Sequence, residues 1–319
     1  MLEHRLAKLA AAATFVLLVI GGTVNPTGSS LACPEPTLVC HGQLFPPMVG
    51  GVLYEHGHRL AAMTVGLLQI VLTIVLLLRR PALRRLAWIL LGLVVAQGAF
   101  GAITVGFKLP WYVSTGHLLL GMSYFATLIY TGFLTRPAPS AVEIDRHARL
   151  CDELGSGRRW IAVACGAVFV QLLLGALVRH LGAAMVCLGM PACTISGQWW
   201  PAPPPGEFPV QQLHMIHRGF GGVVAIVTTL AAIAVFRRAR SWPGLRVLAL
   251  LAPVLVVAQV ALGIYTVLTW RAVPLAVGHF AGAASLWALW MSAWLLTGRR
   301  APAVALAGHD VPALHLVQA

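Results

Sequence analysis

Four of the chain's 12 histidines, His58, His117, His217 and His279, fall at matching places in two similar stretches of sequence. His58-Arg59 recurs as His217-Arg218, and Gly116-His117 recurs as Gly278-His279. Each of the four sits near one end of a long apolar run, so each stretch offers two imidazoles at similar depth on two different segments. An ionisable group inside an apolar helix is costly and normally faces a partner within the bundle. Two imidazoles facing each other between helices are what a six-coordinate heme iron needs, with the flat ring filling the apolar space. One such histidine alone reads as a hydrogen-bonded interfacial residue; four at repeat-related positions favour ligation. Zinc and copper fit less well, because no third and fourth ligand of matching depth accompanies either pair.

One acid breaks the symmetry. Glu55 stands three residues before His58, on the same helical face, and the equivalent position before His217 is His214. Only nine acids occur in the chain, so this one stands out. A carboxylate beside a ligand histidine can act as a base or stabilise developing positive charge; as a purely structural residue it favours a helix start. The asymmetry assigns chemistry to the first stretch and a permanent cofactor to the second. Arg59 and Arg218, next to two of the histidines, are candidate partners for heme propionates or else snorkelling cations.

Two cysteine pairs flank the histidines: Cys33 and Cys40 in CPEPTLVC, followed by His41, and Cys187 and Cys193 in CLGMPAC. Outside the cytoplasm each short, proline-containing loop can close into a disulfide. A metal-binding or redox-active dithiol is the sharper alternative, stronger for Cys33 and Cys40.

The elements that carry these residues belong in a membrane. Of the 319 residues 59% are hydrophobic and 10% charged, against about 25% charged in a soluble domain. The net charge of +13 lies in short clusters between apolar runs rather than on one interleaved face, which excludes a nucleic-acid partner and marks topology instead. Eight runs reach the roughly 20 residues needed to cross a bilayer: 7–24, 59–78, 86–106, 114–135, 160–179, 217–236, 245–268 and 274–297. With both termini in the cytoplasm, all 22 Lys and Arg lie inside except Arg59, Lys108, Arg179, Arg218 and Arg271, as the positive-inside rule requires. The paired histidines then lie within about a turn of the outer ends of their helices. The first run also has the charge pattern of a cleaved signal peptide after Arg5 and Lys8, but its later copy favours a retained span.

That copy is one of several. Phe15-Val16, Gly21 and Val24 recur as Phe169-Val170, Gly175 and Val178; Ala96-Gln97 and Gly101 recur as Ala258-Gln259 and Gly263. The expected architecture is an all-α integral membrane protein of eight transmembrane helices, arranged as two pseudo-symmetric four-helix bundles in parallel repeat. The expected divisions are an N-terminal catalytic bundle over 1–140, a cytoplasmic linker over 141–158, a cofactor-holding bundle over 159–300 and a cytoplasmic tail over 301–319.

Together these motifs resemble the heme A synthase family: Thr27-Gly28-Ser29 leading into CPEPTLVCHG, Glu55-His56-Gly57-His58-Arg59, Gly116-His117, GALVRH at 175–180, His217-Arg218 and Gly278-His279. The likeness covers about 8–297. It implies oxidation of a methyl group of heme O to a formyl group, giving heme A for terminal oxidases in the inner membrane. It further implies heme O between His58 and His117, heme b between His217 and His279, and Glu55 as the catalytic carboxylate. Heme O synthase, oxidase-assembly factors and a second copy of the chain become candidate partners beside membrane lipid. Two rivals share the histidines. One is a bis-histidine cytochrome b that only moves electrons, although sites on one face do not build a wire across the membrane; the other is a heme-binding assembly factor.

Overall fold

The computed structural model describes residues 1–203 and 205–298; Arg299, Arg300 and the expected tail 301–319 lie outside the described residues. Among those described, helices α1 (Leu2–Val24), α2 (Gly50–Arg79), α3 (Arg84–Gly106), α4 (Trp111–Leu134), α5 (Ala141–Leu154), α6 (Gly157–His180), α7 (Val210–Arg238), α8 (Pro243–Leu268) and α9 (Val273–Leu296) carry nearly all regular structure. All but α5 are long and apolar enough to cross a membrane. In lipid no water pairs with exposed backbone groups, so each segment must satisfy its own by coiling into a helix. The chain is an all-α, multi-pass integral membrane protein. Leu67, Ile74, Leu78, Val254 and Val257 are exposed on the surface, the side chains a lipid solvent accepts.

Two helices begin well before the apolar runs do. The structure starts α2 at Gly50 and α7 at Val210, where the runs begin at 59 and 217. Glu55, His56 and His214 lower the local hydropathy, yet all three are buried under the loops that precede their helices. His58 and His217 consequently lie about two turns inside their helices, at 3.6 residues per turn, rather than within one. Residues 141–154, expected as linker, form α5. A reciprocal capping box between Ser140 and Glu143 starts it, and Leu150 and Leu154 bury into the C-terminal core.

Helix α1 packs on α2 and α4, with α3 touching both of these; α6 packs on α7 and α9, with α8 touching both. The two sets meet where α4 lies against α6 and α9, and α1 lies against α9. Leu72, Leu76, Leu90 and Leu128 form the core of the first set. Trp287 and Trp290 of α9 anchor that of the second, which takes in Met122 and Phe125 of α4. Trp287 Nε1 donates to the Met122 carbonyl at 3.2 Å across this seam, a partner a buried indole needs.

Candidate functional site

Helix α2 presents Glu55, His56, His58 and Arg59 within two turns. Glu55 is 4% exposed and its carboxylate is held on both sides. Its Oε1 accepts from Arg59 Nη2 at 2.6 Å and its Oε2 from the Cys33 N–H at 2.9 Å. Arg59 also donates to the carbonyls of Thr37, Val39 and Cys33. Cys33 and Cys40 form a disulfide, so the loop they close lies over the end of α2, tied down by one buried ion pair. Glu35 closes the loop's far end by accepting from the N–H groups of His41 and Gly42; its own backbone N–H first, then those of Gly42 and His41, hold its carboxyl below the ordinary range against the opposing desolvation.

The second set repeats the clasp without the acid. Arg218 donates to the carbonyls of Cys187, Gly189 and Ala192 around the Cys187–Cys193 disulfide. His214 stands where Glu55 stands and is likewise buried. Arg59 and Arg218 thus both serve as loop anchors.

Each of the four histidines rests against a glycine of the preceding helix. A methyl group on Gly21 of α1 would lie 2.7 Å from His58 Cε1. The corresponding distances are 3.3 Å for Gly101 of α3 and His117, 3.2 Å for Gly175 of α6 and His217, and 3.2 Å for Gly263 of α8 and His279. Only a residue without a side chain lets the backbone come that close to the ring. One turn before three of these glycines stands a glutamine. Gln97 Nε2 donates to the His117 carbonyl and Gln171 Nε2 to the His217 carbonyl, each at 3.0 Å. His279 Nδ1 lies 3.0 Å from the Gln259 carbonyl. The Gln-x-x-x-Gly spacing was visible in the sequence as part of the repeat, but its contact with the histidines was not.

His217 and His279 face each other with ring centroids 6.4 Å apart and planes at 86°. They line a cavity of about 680 Å³ together with Arg179, Arg218, Arg271 and Trp200. Among the described residues no acid lines it, and it reaches Gly22 and Pro26 of the first set. Arg179, which the sequence reading placed only by topology, is the residue at this border. From α6 its Nη2 donates to the carbonyls of Gly21 and Gly22 in α1, at 3.2 and 3.3 Å. Its guanidinium carbon lies 5.7 Å from the Phe280 ring centroid. Arg179 Nε and Arg218 Nε are buried without a protein partner, as are Nδ1 of His58, His117 and His217.

A cavity of this kind suits a flat, mostly apolar molecule with anionic groups. Such sites usually have volumes of about 300–1,000 Å³ with a few convergent polar groups. Comparison with known proteins gives the same direction. Residues 48–291 match the model of the COX15-CtaA family, described as cytochrome oxidase assembly protein. The heme A synthase of Shouchella clausii is 30% identical over 274 residues, 84% of this chain and 87% of its own. That of a Caulobacter species is 32% identical over 79% of this chain and 75% of its own. That of Symbiobacterium thermophilum is 32% identical over 81% and 84%. With the match running from the first disulfide loop's exit to the last turns of α9, the chain belongs to the COX15-CtaA family of cytochrome oxidase assembly proteins.

Proposed function

We propose that the chain is a heme A synthase, an oxidoreductase that converts a methyl group of heme O to a formyl group. Heme O is held between His58 and His117, and a resident heme b between His217 and His279. The observation that carries the heme reading is the His217–His279 pair. A metal–imidazole bond of roughly 2.0–2.1 Å, plus about 1 Å from nitrogen to ring centre, puts two rings sharing one metal about 6 Å apart. The 6.4 Å separation fits that spacing, and the acid-free cavity fits the porphyrin and its propionates. The orphaned Nε–H groups of Arg179 and Arg218 supply donors for those anions. Arg271 adds a third cation, and Arg59 remains the matching candidate in the N-terminal half.

The division of labour follows from position 55. Each two-electron oxidation would replace one C–H bond of the methyl carbon by a C–O bond, with water as oxygen donor, two protons released and two electrons passed to an external one-electron acceptor in two steps. Two in succession would give the hydrated aldehyde, which loses water to leave the formyl group. Both release protons, and positive charge develops at the carbon. Glu55 is fixed by Arg59 and Cys33 one turn from His58, placed to balance that charge or accept a proton. Its counterpart His214 carries no carboxylate, so the C-terminal half has no equivalent group. A heme b seated there supplies one-electron relay. Both termini face the cytoplasm, and the disulfide loops and histidine pairs face outward, as the clustered arginines require. The N-terminal and C-terminal four-helix sets act as repeated units.

Expression beside a heme O synthase, followed by pigment extraction, tests the function. Heme A is the expected product. Recovery of heme O and heme b with no heme A would leave a cytochrome or a heme-binding assembly factor instead.

A further inference from the structure

The disulfide loop of the N-terminal half has a neighbour that its counterpart lacks. The Sγ atoms of Cys33 and Cys40 and one nitrogen of His56 lie within 4.8 Å of one another. His56 is 0% exposed. Its Nε2 lies 3.0 Å from the Leu44 carbonyl, which fixes the proton on that nitrogen. Its Nδ1 is left as a bare lone pair, buried and without a partner. An imidazole that donates one N–H to a backbone carbonyl, keeps its other nitrogen unpartnered and lies beside two sulfurs has the second-shell arrangement of a metal ligand.

Packing does not account for this histidine. In the C-terminal half the Cys187–Cys193 disulfide packs against Met215, the residue that aligns with His56 under the offset relating His58 to His217. A thioether fills that space without a buried, unsatisfied nitrogen. An orphaned lone pair costs about 1–3 kcal/mol, and of the buried imidazoles that carry one, among the described residues only His56 shares a cluster with a cysteine pair, which points to a ligand.

We propose that Cys33, Cys40 and His56 form a redox-gated site for a thiophilic divalent cation of the zinc class. A dithiol reductant supplies two electrons and two protons to the disulfide and becomes a disulfide itself. The cation then binds the two sulfurs and His56 Nδ1, displacing the two thiol protons, with the fourth position left to water. Zn–S bonds of about 2.3 Å and Zn–N bonds of about 2.0–2.1 Å place tetrahedral ligand atoms about 3.5–3.8 Å apart, within the span observed. The loop does not depend on its disulfide to keep the sulfurs together. Arg59 holds the carbonyls of Cys33, Thr37 and Val39, Glu55 holds the Cys33 N–H, and Cys40 pairs with Gln43 through two backbone hydrogen bonds. The inference is independent of the heme reading, and its readout involves no heme.

The test uses the full chain with Cys187→Ser and Cys193→Ser, reduced without air by a phosphine and titrated with Co²⁺. One equivalent should bind, with thiolate-to-cobalt charge-transfer absorption and intense four-coordinate bands, and the oxidised chain should show neither. His56→Gln should weaken binding about tenfold or more, and Cys33→Ser should abolish the charge-transfer bands. Absence of the bands in the reduced chain, or equal affinity in His56→Gln, would overturn the site. Where a variant loses its helical circular dichroism, zinc X-ray absorption on the otherwise native chain decides. A shell of two sulfurs and an imidazole is expected; a shell lacking either contradicts it.

Discussion

Alanine in place of Gly175 or Gly263 sets a methyl carbon 3.2 Å from an imidazole Cε1, a contact so tight that the ring must give by a few tenths of an ångström. Helix propensity favours the change by about 0.5–1 kcal/mol, while overpacking costs about 1–3 kcal/mol, so the histidine yields before the helix does. Each substitution should leave helical content unchanged and shift or bleach the low-spin heme spectrum; an unaltered Soret band and heme stoichiometry would contradict it. Glu55→Gln keeps the shape of the site and removes its charge. Extracted pigment should contain normal heme b but markedly less heme A than the parent chain yields. Arg59→Ala and Arg218→Ala separate the two clasps. The first leaves the Glu55 carboxylate buried and unpaired, at about 3–5 kcal/mol. The second removes hydrogen bonds to carbonyls alone, at about 1–3 kcal/mol. Melting in detergent should therefore fall further for Arg59→Ala, and equal losses would mean that Glu55 draws little support from its arginine.

At the scale of elements, α5 is held by its acids. Glu153 Oε2 accepts from the Ser241 N–H at 2.9 Å and from Ser241 Oγ at 3.0 Å, joining α5 to the α7–α8 turn. The Ser241 N–H first, then its hydroxyl and Arg240, hold the Glu153 carboxyl below its ordinary value of 4.5 against a smaller desolvation. A depressed folded value means the contribution is complete above the unfolded value and is lost as pH falls through the folded one. Amide protection in α5, corrected for intrinsic exchange, should hold above about pH 5 and decline below it. The decline should be smaller in Glu153→Gln, the remainder coming from the Glu143 cap. This helix marks a limit of the sequence reading. The eight spans were legible because lipid demands long apolar runs, and the disulfides because short loops brought Cys33 to Cys40 and Cys187 to Cys193. Helix α5 is too polar to stand out as a span, although Ser140-x-x-Glu143 is a capping signal. The early starts of α2 and α7 were hidden by Glu55 and His214, whose burial comes from loops far away in sequence. Arg179 was hidden for the same reason: its partners Gly21, Gly22 and Phe280 lie on other helices.

Over the whole molecule, the two helix sets meet through α1, α4, α6 and α9, sealed by Trp287 on Met122 and by Thr115 Oγ1 lying 3.2 Å from His180 Nδ1. Chains divided between α4 and α5 and expressed together should copurify, because that seam is built from apolar side chains and does not use the linker. Recovery of one half alone from a tagged partner would show that continuity of the chain is required. The border residue Arg179 carries a further consequence. Its cation contacts the α1 backbone at Gly21 and Gly22 while lining the C-terminal cavity. On the function proposed above, negative charge arriving on one side would change the field on the other, and such linkage is reciprocal: a ligand at His58 and His117 and one at His217 and His279 would alter each other's affinity by the same factor. Titrating each compartment with the other filled and empty should reveal that factor, and Arg179→Ala should bring it close to unity.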